Sequence, residues 1–228
     1  ELRIARVDRD TTRRKHQLEN VLSDFSNGKL DMLVGTQMIA KGHDFPNVTL
    51  VGVISVDAGL SLPDFRSAER TFQLLTQVAG RAGRGDLGGR VLIQTYYPDH
   101  YALRHSKTQN YTSFYEQEIA FREKMHYPPF VSLSSILIKH SNYNYAHDNA
   151  QILFDALVKA NSNKQCIILG PAPAPLPRLK GEYRLQILVK SRNRTNLRET
   201  LDFALAEAES KFCDLKIIYV EIDPVNLL

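Results

Sequence analysis

Two consecutive prolines, Pro128 and Pro129, constrain the fold of this chain more than any other feature. Proline locks its own φ, lacks an N–H donor and pushes the preceding residue out of the α region, so a helix running up to Tyr127 must stop there. Residues 108–126 read as that helix, with Tyr111, Phe114, Tyr115, Glu118, Ile119 and Arg122 at helical intervals. Three parts are therefore expected: 1–107, a connecting helix over 108–126, and 127–228.

The first part alternates helix and strand. Asp10 or Thr11 caps a helix whose apolar positions are Leu18, Val21, Leu22 and Phe25 and which stops near Gly28. A short strand over 32–35, a helical turn around Ile39 and an apolar strand over 48–56 follow. The last is apolar without alternation, the pattern of a strand covered on both faces. A helix containing Phe72 and Leu75, a turn over 85–89 and a strand over 90–96 complete an α/β layer with parallel strands. Beyond the prolines the order changes. A strand over 131–140, a helix over 145–160 and a strand over 166–169 precede a stiff Pro-Ala run at 171–177. That run is either a rigid connector between strands or a peptide ligand. A strand over 183–191, a helix through Leu197, Leu201, Leu205, Ala208 and Phe212, and a strand over 215–222 follow. The order β-α-β-β-α-β predicts a split-βαβ, ferredoxin-like α+β sandwich.

The stretch 77–84, Gln-Val-Ala-Gly-Arg-Ala-Gly-Arg, is the clearest chemical signal. At about 100° per residue, Gln77, Arg81 and Arg84 share one helix face while Phe72, Leu75, Ala79 and Ala82 point the other way. Guanidiniums bind phosphate oxygens bidentately, and Gly80 and Gly83 remove bulk beside them. Read by itself, the pair is first a set of surface ion pairs with acidic neighbours, since charge runs are usually solvated faces.

Charge and composition narrow the classes. A net charge of +4 over 228 residues is too small to diagnose DNA binding. Its distribution says more: Arg178, Lys180, Arg184, Lys190, Arg192, Arg194 and Arg198 fall in one short stretch, and strand exits and helix starts converging at one end would gather several of them into a patch. Cys166 and Cys213 sit in apolar stretches and read as buried reduced thiols, and the seven histidines form no ligand pair, so no metal is expected. The longest apolar run is too short to span a membrane and there is no charged-then-apolar leader, which points to a cytoplasmic protein. No Gly-x-x-x-x-Gly-Lys-Ser/Thr loop occurs. A phosphoryl-transfer site needs that cradle, Mg²⁺ ligands and a water-orienting group together, so the chain supplies at most one wall of an ATPase.

Gln-x-x-Gly-Arg-x-Gly-Arg at 77–84 resembles the last motif of superfamily two helicases, and the segment 34–45, Val-Gly-Thr-Gln-Met-Ile-Ala-Lys-Gly-His-Asp-Phe, is similar to the preceding one. The blocks at 8–12, 57–66 and 169–178, with the closing Asp223-Pro224-Val225-Asn226, resemble the PriA family of bacterial replication-restart helicases over nearly the whole chain. The resemblance implies a partial RecA-like second helicase lobe followed by the small C-terminal domain, with the rest of the ATP site in a first lobe upstream of Glu1. It implies that Arg84, with Arg81, reaches the γ-phosphate of ATP as an arginine finger, that Gln77 bonds near the phosphates or the attacking water, and that Gly42, Asp44 and Gly80 serve nucleotide binding and coupling. Thr36 is either a plain helix cap or a DNA phosphate ligand, and Lys41 a phosphate contact or a solvated charge. His43 packs in the lobe. Arg178, Lys180 and Arg184 are the DNA candidates of the last domain. ATP and Mg²⁺ are the expected cofactors. Zinc belongs to the whole family protein, with no ligands here. Branched and single-stranded DNA, primosomal proteins and single-stranded DNA-binding protein are the implied partners. A stand-alone DNA- or partner-binding module without turnover, and a related translocase, are the alternatives.

Overall fold

The computed structural model describes residues 2–8, 15–36, 39, 45, 47–80 and 88–227. They form two compact units, one of Glu1–Ser61 with Ser67–Phe114 and the other of Leu62–Arg66 with Tyr115–Leu228.

In the first unit the described strands form two separate parallel pairs. Strand β1 (Ile4–Val7) pairs with β2 (Met32–Gly35), from Ile4↔Met32 to Val7↔Gly35, and helix α1 (Lys15–Ser26) connects them. Strand β3 (Leu50–Val53) pairs with β4 (Arg90–Ile93), and α2 (Asp57–Leu60) and α3 (Ser67–Ala79) lie between them in sequence. Phe72, Leu75 and Val78 recur at helical spacing along α3 and are buried. Leu75 packs with Val56 and Leu103, and Phe72 stacks on Phe114 with ring centroids 4.1 Å apart. Leu103 belongs to α4 (Tyr101–Lys107), a helix the sequence pattern did not disclose. The side chain of His100 caps it, accepting from the Ala102 N–H.

Two strand expectations for this unit are corrected. The apolar run 48–56 gives only four strand residues and is not covered on both faces, for Leu50 is 57% and Ile54 79% exposed. One side meets the cluster of Val56, Leu75 and Leu103; among the described residues nothing comparable lies on the other. Strand β4 stops at Ile93 rather than running to residue 96. The Asp57 carboxylate accepts from the Thr95 hydroxyl (2.6 Å) and the Tyr96 N–H (2.9 Å), which turns the chain away from the ladder.

After Leu62–Arg66 the second unit resumes with Tyr115–Lys124, the greater part of α5 (Tyr111–Lys124), and continues as β5 (Ser132–His140), α6 (Tyr143–Ala160), β6 (Cys166–Leu179), β7 (Glu182–Ser191), α7 (Arg194–Ser210), a single 3-10 turn (Leu215–Ile217) and β8 (Ile218–Ile222). The sheet order is β6-β7-β5-β8 with every neighbour antiparallel, which is the split-βαβ, ferredoxin-like arrangement. Period-two alternation sends Ile136 and Ile138 of β5 and Leu185, Ile187 and Val189 of β7 towards the helices. Ala146, Ala150, Ala204 and Ala208 are fully buried, and their small side chains let α6 and α7 lie close over the sheet. Asn142 and Asn193 cap these helices by accepting from the Tyr145 and Thr195 N–H groups.

Here too the reading changes. The Pro-Ala run is not a connector between strands; it lies inside β6, which extends to Leu179 and is an edge strand. Edges tolerate proline, and register shifts between Leu169 and Ala172 and between Pro173 and Arg178 absorb the missing donors. Gly170 has φ +109°, and a Cβ there would stand 2.6 Å from the Gln186 carbonyl oxygen.

The other face of this sheet is partly closed by three pieces of chain. Phe65 stacks on Tyr127 and packs with Leu133 and Leu227. Asp64 accepts from the Leu227 N–H, and Arg66 donates to the Pro224 and Val225 carbonyls. This is why Leu62–Arg66, placed with the first part on the sequence pattern, belongs to the second unit.

Candidate nucleotide and nucleic-acid site

Helix α3 carries the described part of the 77–84 stretch at its C-terminal end. Gln77 is exposed in the last turn, opposite the buried Leu75 and Val78, as the helical spacing predicts. Gly80 follows directly, its N–H bonded to the Thr76 carbonyl at 3.1 Å. A Cβ at Gly80 would meet only the Gln77 and Thr76 carbonyl oxygens at 3.6 Å, an ordinary contact, so space within the unit does not demand glycine there. Arg81 and Arg84 lie outside the described residues.

Strand β2 delivers the second motif. Thr36 is exposed just past its end, with its carbonyl accepting from the Ile39 N–H at 3.1 Å. The residue before it explains the Gly-Thr pair. A Cβ on Gly35 would clash with the Val7 carbonyl oxygen and the Ile39 side chain, so glycine is what lets Ile39 and β1 lie this close to the end of β2. Gly35 is thus a positioning residue that the roles assigned from sequence left out. Both Gln77 and Thr36 are exposed. Lys41, Gly42, His43 and Asp44 lie outside the described residues.

The basic residues of the second unit are separated rather than gathered. Lys180 and Gly181 form the two-residue turn between β6 and β7, both at positive φ (51° and 88°), the geometry of a tight hairpin. Lys180 is exposed at the tip, and the exposed Arg178 lies with its guanidinium over the Tyr183 ring at 5.0 Å. Arg192, Arg194 and Arg198 are exposed at the other end of β7, and Arg194 pairs with Asp223 at 3.0 Å. Ten strand residues separate the two groups, about 30 Å at ~3.3 Å per residue, so the expected convergence at one end does not occur. Arg184, moreover, is only 8% exposed.

Titrating groups follow their surroundings. The Thr95 hydroxyl, followed by the Tyr96 N–H, holds the Asp57 carboxyl below its ordinary range. Burial lowers Lys190, whose ammonium donates to the Met125 carbonyl and sits 3.6 Å from the centre of the Tyr127 ring. Burial likewise pushes the Cys213 thiol up to about 11, and both cysteines are free and buried. Among the described residues no group of three or more His, Cys, Asp or Glu is placed to hold a metal ion, and no helix is long and apolar enough to cross a membrane.

With this geometry in view, comparison with known proteins is specific. Residues 1–86 match the family described as "Helicase conserved C-terminal domain" and residues 123–225 the family described as "Primosomal protein N C-terminal domain". The chain is 47% identical over 221 residues to "Replication restart protein PriA" of Bacillus subtilis (strain 168), a match covering 97% of this chain and 27% of that protein. Identity to the protein of the same name is 41% over 230 residues in Haemophilus influenzae, with 98% and 30% covered, and 41% over 230 residues in Treponema pallidum, with 100% and 34% covered. The chain thus spans about a third or less of the length of these relatives. A helicase C-terminal domain followed by a primosomal C-terminal domain, matched over nearly all of its residues by replication restart proteins, places this chain in the PriA family.

Proposed function

We propose that this chain is the C-terminal half of an ATP-dependent 3′ to 5′ DNA helicase that acts in replication restart and primosome assembly at branched DNA. The observation that carries the reading is the match of nearly the whole chain to replication restart proteins, in an order that puts the helicase domain before the primosomal domain. The exposed Gln77 in the last turn of α3 and Gly80 just after it, followed in sequence by Arg81 and Arg84, suit one wall of an ATP site. Arg84, assisted by Arg81, stabilises charge that develops on the transferred phosphoryl group, and Gln77 orients the phosphates or the attacking water. Gly42 and Asp44 link the nucleotide to the DNA side. Mg²⁺ and the triphosphate are gripped mainly by a first lobe, since this sequence has no phosphate-binding loop of the Gly-Lys-Ser/Thr kind.

DNA backbone contacts come from Thr36, whose hydroxyl is exposed beyond β2, from Lys41, and from Arg178 and Lys180 at the β6–β7 hairpin. Arg184 is withdrawn from this surface by its burial. Primosomal proteins and single-stranded DNA-binding protein are the partners of the whole molecule, and zinc belongs to its other parts.

Two measurements test the reading. In the whole protein, Arg84→Ala should leave ATP affinity nearly unchanged and lower DNA-stimulated turnover by roughly 10³ to 10⁵, while the 228-residue chain alone should show no turnover. DNA-stimulated hydrolysis by the chain alone would sink the split-site account. Replacing Arg178 and Lys180 by Ala should flatten the dependence of log affinity on log salt by about 0.7 to 0.9 for each DNA phosphate that is no longer neutralised. An unchanged slope would remove the hairpin from the DNA surface.

A further inference from the structure

The end of the second unit where β5 finishes, β7 begins and α6 starts carries aromatic surface that the hairpin reading does not use. Register sets His140, the last residue of β5, directly opposite Tyr183 of β7. Period two turns both towards the helix side of the sheet, as it does Ile138 and Leu185. The first turn of α6 then adds two tyrosines. Tyr143 meets Tyr183 edge to face with ring centroids 5.5 Å apart, and Tyr145 lies against the His140 ring at 4.5 Å. The Tyr145 hydroxyl donates to Asp214 at 3.1 Å, and the Asp214 N–H donates to the Asn149 side chain of the same helix at 2.7 Å. These contacts run as one row from the β6–β7 hairpin to the turn after α7.

The braced rings still stand open to water, Tyr143 being 44% and Tyr145 42% exposed. At the far end of the row, two residues before Asp214, Phe212 is 96% exposed. Its backbone is unusual as well. The Cys213 N–H bonds back to the Ala208 carbonyl and Phe212 takes φ +62°, a helix-ending position that glycine ordinarily fills. An aromatic residue there accepts a disfavoured backbone and gains no burial, so the packing of the unit does not account for it.

Charge at this end is close to balanced. Arg178, Lys180, Lys211 and Lys216 are exposed, but Glu182, Asp148 and Asp214 stand among them and Lys211 pairs with Glu207 at 3.4 Å. Phosphates alone would be held weakly here. The rings supply what the charges do not, because every base has a π-face and stacks on an aromatic side chain whatever the sequence. A duplex hides those faces inside its own stack; a single strand offers them.

We propose that this end of the second unit binds single-stranded DNA through its unpaired bases, stacked on Tyr143, Tyr145 and Phe212, while Arg178 and Lys180 meet the backbone at the hairpin. The proposal rests on the DNA reading of the hairpin and deepens it: the surface selects a single strand over a duplex by rings rather than by charge. Tyr183, His140 and Asp214 hold the two tyrosines in place before the strand arrives, so little side-chain freedom is lost on binding.

The test is fluorescence anisotropy of the 228-residue chain with labelled oligo(dT), an abasic strand of the same length and a blunt duplex. Oligo(dT) should bind more tightly than either of the others. Tyr143→Ala and Phe212→Gly should each weaken oligo(dT) binding roughly fivefold or more, the loss for one stacked base, and leave the abasic strand unaffected. Tyr143→Phe should retain binding. Because glycine suits the positive φ, Phe212→Gly should keep the urea midpoint while binding falls, a combination that a structural role would not give. The two DNA claims fail separately. If Arg178→Ala with Lys180→Ala leaves the salt dependence unchanged while the ring variants weaken binding, the hairpin contacts are wrong and stacking stands. Stacking is overturned if the abasic strand or the duplex binds as well as oligo(dT), or if Tyr143→Ala and Phe212→Gly bind oligo(dT) as wild type does, whatever the salt dependence.

Discussion

The two units solve the problem of burying apolar surface in different ways. In the second, one continuous cluster joins both helices to three strands, and Ile136, Ile138, Leu153, Leu157, Ile187 and Leu197 have no exposed surface. In the first, burial is divided among small clusters, and the apolar side chains Ile4, Val34, Leu50, Ile54 and Leu92 stay 47% to 79% exposed. Hydrophobic stabilisation scales with the apolar area removed from water, at roughly 25 cal/mol per Å². The second unit therefore draws its stability from its own residues, whereas the first leaves part of the available area unused.

Three experiments put this contrast at risk. The largest expected effect is at Phe65, which is flanked in sequence by the first unit but buried in the second. Phe65→Ala should cost about 3–5 kcal/mol, the range for an aromatic removed from a core, and hydrogen exchange should report the loss in β5 and β7. Loss of protection confined to α3 would place 62–66 with the first unit. Next comes a matched pair. Leu153→Ala should cost about 2–5 kcal/mol in urea unfolding, while Leu92→Ala at an exposed site should stay within about 1 kcal/mol. Equal costs would show that the β3–β4 face is covered in solution.

The smallest effect is a pH dependence in the first unit. Bonds from the Arg3 side chain, then its backbone N–H, hold the Asp31 carboxyl at about 2, below its usual 3.8. Since the folded value is the lower one, the contribution is complete above about pH 4 and is lost as the pH falls through about 2. Exposure of both side chains to solvent keeps it slight. A carboxyl titration followed by NMR in which Asp31 shows an ordinary midpoint would remove the Arg3–Asp31 clamp from the account of how β1 and β2 are held.

The same contrast explains what could be read from the residues. In the second unit each element has one buried face, so period two in β5 and β7 and helical period in α6 and α7 pointed to the observed fold. In the first, the unbroken run 48–56 carried no such one-sided signal and suggested coverage on both faces, and α4 was hidden because its short apolar set, Ala102 and Leu103, shows no periodicity. Gln77 was legible from α3, whereas the hairpin position of Lys180 was not, because the Pro-Ala run reads as a connector or a peptide ligand and not as part of β6. Nor was Arg184. Alternation with Leu185 put it on the far face of the sheet, but only the folded path of residues 224–227 and 62–66 shows how enclosed that face becomes. The ends of β7 were legible in principle, since strand length alone keeps Arg178 from Arg192.

The proline-rich edge strand has a consequence for the behaviour of the protein in a crowded solution. An open sheet grows by recruiting another strand of matching, flat backbone. Pro171, Pro173, Pro175 and Pro177 hold φ near −65° at every second position of β6, far from the roughly −140° that an incoming antiparallel partner requires. At the opposite edge β8 offers only five residues. One border is thus misshapen for recruitment and the other too short, so backbone shape and strand length, rather than a row of repelling charges, keep the antiparallel sheet from fibrous self-association.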